Sequence, residues 1–223
     1  MMNKINHKLG IVSAVALITG AAALAGGTYS YLTDYDNVNN EFTVGKVDIE
    51  LDEPEWKPEE NKNIVPTQEI KKDPQIKNTG KNTAYVYLDV SIPVQKLVTA
   101  DAAGNRQKEQ DTELFTFTSD KDWTLMESFT NEGYKTYRYC YNKILNPNET
   151  SSALFRTMTF ANVIEGQIDG QSISVPVKAY AIQTVNTSDA TSDVPADAKA
   201  AFQKYYNQNK GQKGAASEKA AGE

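Results

Sequence analysis

Between Ala84 and Pro93 the chain reads AYVYLDVSIP, with Val86, Leu88, Val90 and Ile92 on one parity and Tyr85, Tyr87, Asp89 and Ser91 on the other. Side chains alternate between faces along an extended chain, so this stretch predicts a strand with one buried face. The same period recurs in Phe115 and Phe117, in Trp123 and Leu125, in Tyr137, Tyr139 and Tyr141, in Leu154, Met158 and Phe160, and from Ile173 to Ala181. Short polar turns such as Ser119–Asp122 and Asn131–Gly133 separate the runs. Helical spacing occurs only late, in Ala198, Ala201, Phe202 and Tyr205 behind Asp193, a capping residue type. About eight short strands without strand–helix alternation predict an all-β fold: an antiparallel β-sandwich of jelly-roll type with a short C-terminal amphipathic helix.

Local signals refine this. Asn78-Thr79-Gly80 supplies turn chemistry before the Ala84 strand and predicts a hairpin there. Phe42 and Val44 lie on the parity opposite to Val47, Ile49 and Leu51, with Gly45 between, which predicts a first strand that bends at the glycine. The segment 52–63, with Pro54 and Pro58, reads as an exposed connection, and 97–111 as a polar surface loop or short helix. Pro176 falls on the outward parity, which suits an edge or a bulge.

The amino-terminal end has a different character. Lys4 and Lys8 stand in a start without acids, and Leu9–Ala25 carries no charge. That is the pattern of an export signal, and the run is shorter than the roughly 20 apolar residues of a membrane span. Cleavage is expected close to Ser30, with Tyr31 or Leu32 as the new terminus; the alternative is an uncleaved anchor, and either way the domain is extracytoplasmic. The expected organisation is a signal over 1–30, a sandwich over 31–185, a linker with a short helix over 186–210 and a disordered tail over 211–223.

The boundary also carries a resemblance. Gly26-Gly27-Thr28-Tyr29, then Leu32-Thr33-Asp34, then Asn40-x-Phe42-x-x-Gly45-x-Val47-Asp48-Ile49-x-Leu51 resembles the opening of the TasA/camelysin family of exported proteins from Gram-positive bacteria. Lys72-x-Pro74-x-Ile76-Lys77-Asn78-Thr79-Gly80 with Ala84-Tyr85-Val86-x-Leu88, and the closing Val177–Gln183, resemble later strands of the same family, while the middle of the chain matches poorly. The resemblance implies processing by a dedicated ER-type signal peptidase. It further implies a biofilm-matrix fibre subunit, secreted or held at the cell surface, whose freshly cut amino terminus is donated to a neighbouring copy. By position the donor would be 31–41, with Tyr31, Leu32, Tyr35 and Val38 inserted. Their spacing is not a clean period of two, so docking of the segment on its own domain stands as the alternative.

Charge and composition narrow the function classes. Removing 1–30 takes away two lysines and no acid, which moves the net charge from −6 to −8. Nucleic acid is excluded as a partner, because phosphate binding needs clustered Lys and Arg, and the membrane is a partner only during export. Expected partners are further copies of the chain or other matrix and cell-wall components. Cys140 is the sole cysteine, so no intramolecular disulfide forms; a small half-buried strand residue is the expected role, an intermolecular bridge or a reactive thiol the alternative. The camelysin name carries a metalloprotease activity. A zinc protease needs imidazole or thiolate ligands and a general base, whereas the sole histidine, His7, lies in the signal. No enzyme, cofactor or metal is therefore expected, and Asp120/Asp122 or Glu59/Glu60, as loop neighbours, do not form a glycosidase pair. A second function class is a monomeric adhesion module that binds a glycan or host protein through Tyr137, Tyr139 and Tyr141 or through the loop 99–111. The tyrosines would otherwise be an outer strand face whose rings cover neighbours while the phenols reach water.

Overall fold

The computed structural model describes residues 33–35, 47–184 and 193–209, with the backbone alone for 33–35 and Asn209. In chain order the strands are β1 (Thr33–Tyr35), β2 (Ile49–Asp52), β3 (Glu69–Lys71), β4 (Gln75–Asn78), β5 (Ala84–Leu97), β6 (Gln110–Glu113), β7 (Phe115–Phe117), β8 (Trp123–Asn131), β9 (Tyr134–Tyr141), β10 (Thr157–Phe160) and β11 (Val177–Gln183), followed by helix α1 (Val194–Asn209). Every strand pairing among them is antiparallel. The chain is an all-β sandwich with one C-terminal helix, as the alternation predicts.

β5 is the spine. Its first half pairs with β11 on one side and β9 on the other, and its far end, Val94–Leu97, pairs with β6. The main sheet runs β1-β11-β5-β9-β8. A three-stranded sheet, β3-β10-β7, and a two-stranded one, β2-β4, supply the opposing layer. Val86, Leu88, Val90 and Ile92 point between the layers and meet Ile76, Leu114, Phe155, Met158 and Phe160 there. The other parity of β5 is buried as well: Tyr85, Tyr87 and Asp89 lie under α1, with Tyr180, Cys140, Ala198, Ala201 and Phe202. The expected single buried face is thus two buried faces, because the helix closes the second.

The hairpin expected at Asn78-Thr79-Gly80 does not form. β4 pairs with β2 and β5 with β9 and β11, so the turn carries the chain from one layer to the other. Asn78 makes that crossing: its Oδ1 accepts from Gly80 N at 3.0 Å, and its Nδ2 donates to Asn82 O at 2.8 Å and Leu145 O at 3.0 Å. β7 likewise leaves β8 and joins β10 in the opposing layer. A true hairpin joins β8 to β9 through Glu132 (φ 48°) and Gly133 (φ 80°), two left-handed residues whose twist matches that of the flanking strands. In the region 97–111 the bridge Ala100↔Arg106 closes a turn, the bridge Thr99↔Val163 ties its start to the chain after β10, and the chain returns as β6. Pro176 stands just before β11 and its carbonyl accepts from Ser91 N at 2.9 Å. The expected bend at Gly45, the linker 186–192 and the tail 211–223 lie outside the described residues. Asp193 caps α1, its Oδ1 accepting from Ala196 N at 3.2 Å.

Candidate functional site

The main sheet offers three places where chemistry or recognition could occur: its helix-covered face, its inner aromatic row, and its two edges. The covered face holds a buried, hydrogen-bonded ion pair. Arg138 projects from β9 toward Asp89 of β5, donating Nε to Oδ1 and Nη2 to Oδ2 at 2.7 Å each, while Nη1 reaches Glu127 Oε1 on β8 at 2.6 Å. Tyr180 OH adds a hydrogen bond to Asp89 Oδ2 at 3.2 Å. The guanidinium centre lies 4.4 Å from the Phe202 ring of α1 and 5.4 Å from that of Phe129. Burial opposes the Arg138 charge, but the bonds and charge of Asp89 outweigh it and hold its pKa above the usual value. Nearby, Tyr87 OH donates to Ala198 O of the helix at 2.8 Å. Cys140 is buried in the same layer, and desolvation pushes its thiol up to about 11. A thiol so protonated is a packing group, not a nucleophile.

The tyrosine row of β9 turns inward. Tyr139 and Tyr141 are 7% and 6% exposed and belong to the core between the layers, where Tyr141 packs on Trp123 at 5.0 Å and Tyr139 on Phe117 at 6.2 Å. Tyr137 is half-buried, meets Phe117 edge-on at 5.9 Å, and its hydroxyl donates to Glu113 Oε2 at 2.6 Å. Alternation fixed the shared face but not its direction: Arg138 and Cys140, on the opposite parity, lie under α1, which leaves the phenols to the core. The row offers little open ring surface to a ligand.

Of the candidate donor segment, Thr33–Tyr35 is described, and it lies along β11 with Thr33 opposite Ile182, Asp34 opposite Ala181 and Tyr35 opposite Tyr180. Among the described residues this strand ends the sheet on that side. Ser30, Tyr31, Leu32 and Val38 lie outside the described residues, and so does His7. At the other end of the sheet β8 has no strand on its outer edge among the described residues.

Among the described residues the acidic pairs singled out in the sequence are engaged in local contacts. Asp122 bonds Lys143 Nζ at 2.7 Å, Asp120 Oδ1 accepts from Asp122 N at 2.9 Å, and Glu59 and Glu60 pair with Lys62 and Lys57 on the surface. Among the described residues there is no group of three His, Cys, Asp or Glu side chains placed to hold a metal ion. A cavity of about 440 Å³ is lined by Thr116, Phe117, Ser119, Asp120, Arg156 and Thr159 among others, and one of about 360 Å³ by Leu51, Glu53, Lys72, Val175 and Val177. Neither contains a histidine or a thiol. Among the described residues no helix is long and apolar enough to cross a membrane.

Fold and site together define a β-sandwich protein whose distinctive surfaces are strand edges, not a cleft. Residues 4–133 match the family described as camelysin metallo-endopeptidase. That span is more than half of the 223 residues, and the chain belongs to this camelysin/TasA family. No curated protein and no solved structure matches the chain. The family description implies a metal, and the described residues do not fit one: the only thiol is buried beneath a helix, and the carboxylates are spread over separate loops and ion pairs.

Proposed function

We propose that this member of the camelysin/TasA family is an exported, non-enzymatic structural protein that assembles into fibres at the cell surface by exchange of its amino-terminal segment. The observation that supports the reading is the backbone pairing of Thr33–Tyr35 with the edge of β11. An edge that accepts a strand from its own chain accepts the same strand from another copy, since the main-chain hydrogen bonds are identical. Cleavage near Ser30 acts as the switch. While the signal is attached, the segment is tethered at the membrane; once cut at Tyr31, it can leave its own β11 for that of a neighbour. Such a head-to-tail contact does not close on itself and propagates into a filament. Tyr31, Leu32, Tyr35 and Val38 are the residues that would be carried across, and the partners are further copies of the chain and other matrix components.

The test is mass spectrometry and negative-stain microscopy of the protein released by a host with the matching signal peptidase. A terminus at or next to Tyr31 together with filaments supports the proposal. A correct terminus with monomers only, across concentration and pH, overturns assembly. Chelator-sensitive cleavage of casein by the purified chain would instead favour the peptidase activity in the family's description.

A further inference from the structure

β8 stands at the opposite end of the main sheet's strand order from β1, and its outer edge is unpaired among the described residues. A bare edge is a template for another strand, and proteins that remain apart guard it with lysine, proline or brevity. β8 lacks these three guards, being nine residues long, WTLMESFTN, without Lys, Arg or Pro, and its one bulge lies at Leu125/Glu127, ahead of the regular stretch that follows. It also carries two large apolar side chains in the open, Leu125 at 48% and Phe129 at 41% exposure. Its single charge, Glu127, is held by Arg138 at 2.6 Å. On a chain of net charge −6, β8 is a nearly neutral strip along which two like-charged copies can approach.

The register of the strand makes it self-complementary. A bulge interrupts pairing with β9 between Leu125 and Glu127, and the Glu132-Gly133 turn follows Asn131, so the regular stretch is Glu127–Asn131. Phe129 is its midpoint. A two-fold axis through Phe129 sets that ring against its own copy, Ser128 against the partner's Thr130, and Glu127 against the partner's Asn131. Aromatic and hydroxyl pairs directly opposite each other stabilise antiparallel strands, and no like charges meet in this register.

We propose that a second copy of this chain docks on β8 through its own β8, antiparallel and isologous, and joins two main sheets into one. This contact does not use the amino-terminal segment and is closed by its two-fold symmetry. In a chain that forms filaments it would tie filaments side by side; in one that does not, it would give a dimer.

The register supplies the test, on the full secreted chain with Cys140→Ser as background. Ser128→Cys and Thr130→Cys are made singly and then mixed in equal amounts under mild oxidation. In the proposed register residue 128 of one copy faces residue 130 of the other. Like positions lie on the diagonal, about 7–8 Å apart, too far for easy bridging. The mixture is expected to give several-fold more disulfide-linked dimer than either variant alone. It should also exceed an equal mixture in which Val65→Cys, exposed elsewhere on the molecule, replaces one partner. Phe129→Lys, added to both partners, sets two like charges against each other on the axis and should abolish the excess without changing the circular dichroism spectrum. The proposal is overturned if the mixture gives no more dimer than the single variants, or if the lysine leaves the excess intact.

Discussion

Arg138 shows how one residue can hold two layers together. It is 7% exposed, bonds Asp89 with both arms of its fork and stacks beneath Phe202 of the helix, so it cannot be removed without stranding a buried carboxylate. Breaking a buried pair from one side costs about 3–5 kcal/mol, whereas replacing both partners with apolar groups is often nearly neutral. Arg138→Met should therefore lower the unfolding free energy in urea by about 3–5 kcal/mol, and adding Asp89→Leu should recover most of that loss. An equal loss in the double variant would show that the cation's stacking on Phe202, not its ion pair, carries the energy.

Cys140 gives a pH-dependent prediction at the same scale. Burial raises the thiol in the folded protein from an ordinary 9.0 to about 11. A raised folded value means that the protonated form is favoured by folding, so the contribution is fully present below the unfolded value and lost as pH rises through the folded one. Stability should accordingly decline between about pH 9 and 11, with the phenols of Tyr87 and Tyr180, also raised chiefly by burial, extending the decline to higher pH. Urea titrations at stepped pH should show a shallower decline in Cys140→Ala than in the parent chain. An unchanged slope would remove the thiol from the account.

Among the elements, the helix is the one whose role the alternating pattern did not disclose. Its existence was legible, because Asp193 caps it and Ala198, Ala201, Phe202 and Tyr205 repeat at helical spacing. Its docking site was not. Tyr85, Tyr87, Asp89, Arg138 and Cys140 have the look of a half-polar, solvent-facing parity, and only a cover 50 or more residues away in sequence makes them interior. The same long-range effect reversed the tyrosine row of β9 and sent β4 away from β5: periodicity reports which residues share a face, and the topology decides which way that face looks. Removing the anchor tests the helix directly. Phe202→Ala should cost about 3 kcal/mol or more, and it should speed labelling of Cys140 by a thiol reagent at least tenfold, since the helix and the thiol share one cluster. Destabilisation without faster labelling would mean that the thiol is sealed by the sheet alone.

For the whole molecule, family membership was legible chiefly through the ordered motif from Gly26 to Leu51, which falls within the matched span. The strand pattern established a sandwich, but the edges that the proposed assembly uses are properties of strand order: among the described residues, β1 on β11 at one end and an unpaired β8 edge at the other. No local pattern announces which strand will be outermost. His7 is the sole histidine, so a metal site elsewhere in the chain would have to use other ligands, and among the described residues no three His, Cys, Asp or Glu side chains are grouped to hold an ion. The central claim is that the segment 31–41 joins copies by occupying the edge of β11. The most direct measurement is negative-stain microscopy of the secreted chain with Tyr31–Asn40 deleted, beside the intact mature chain at equal concentration. The account predicts filaments from the intact chain and only folded monomers or β8-linked pairs from the deletion, with unchanged circular dichroism. Filaments that persist without the segment would contradict it.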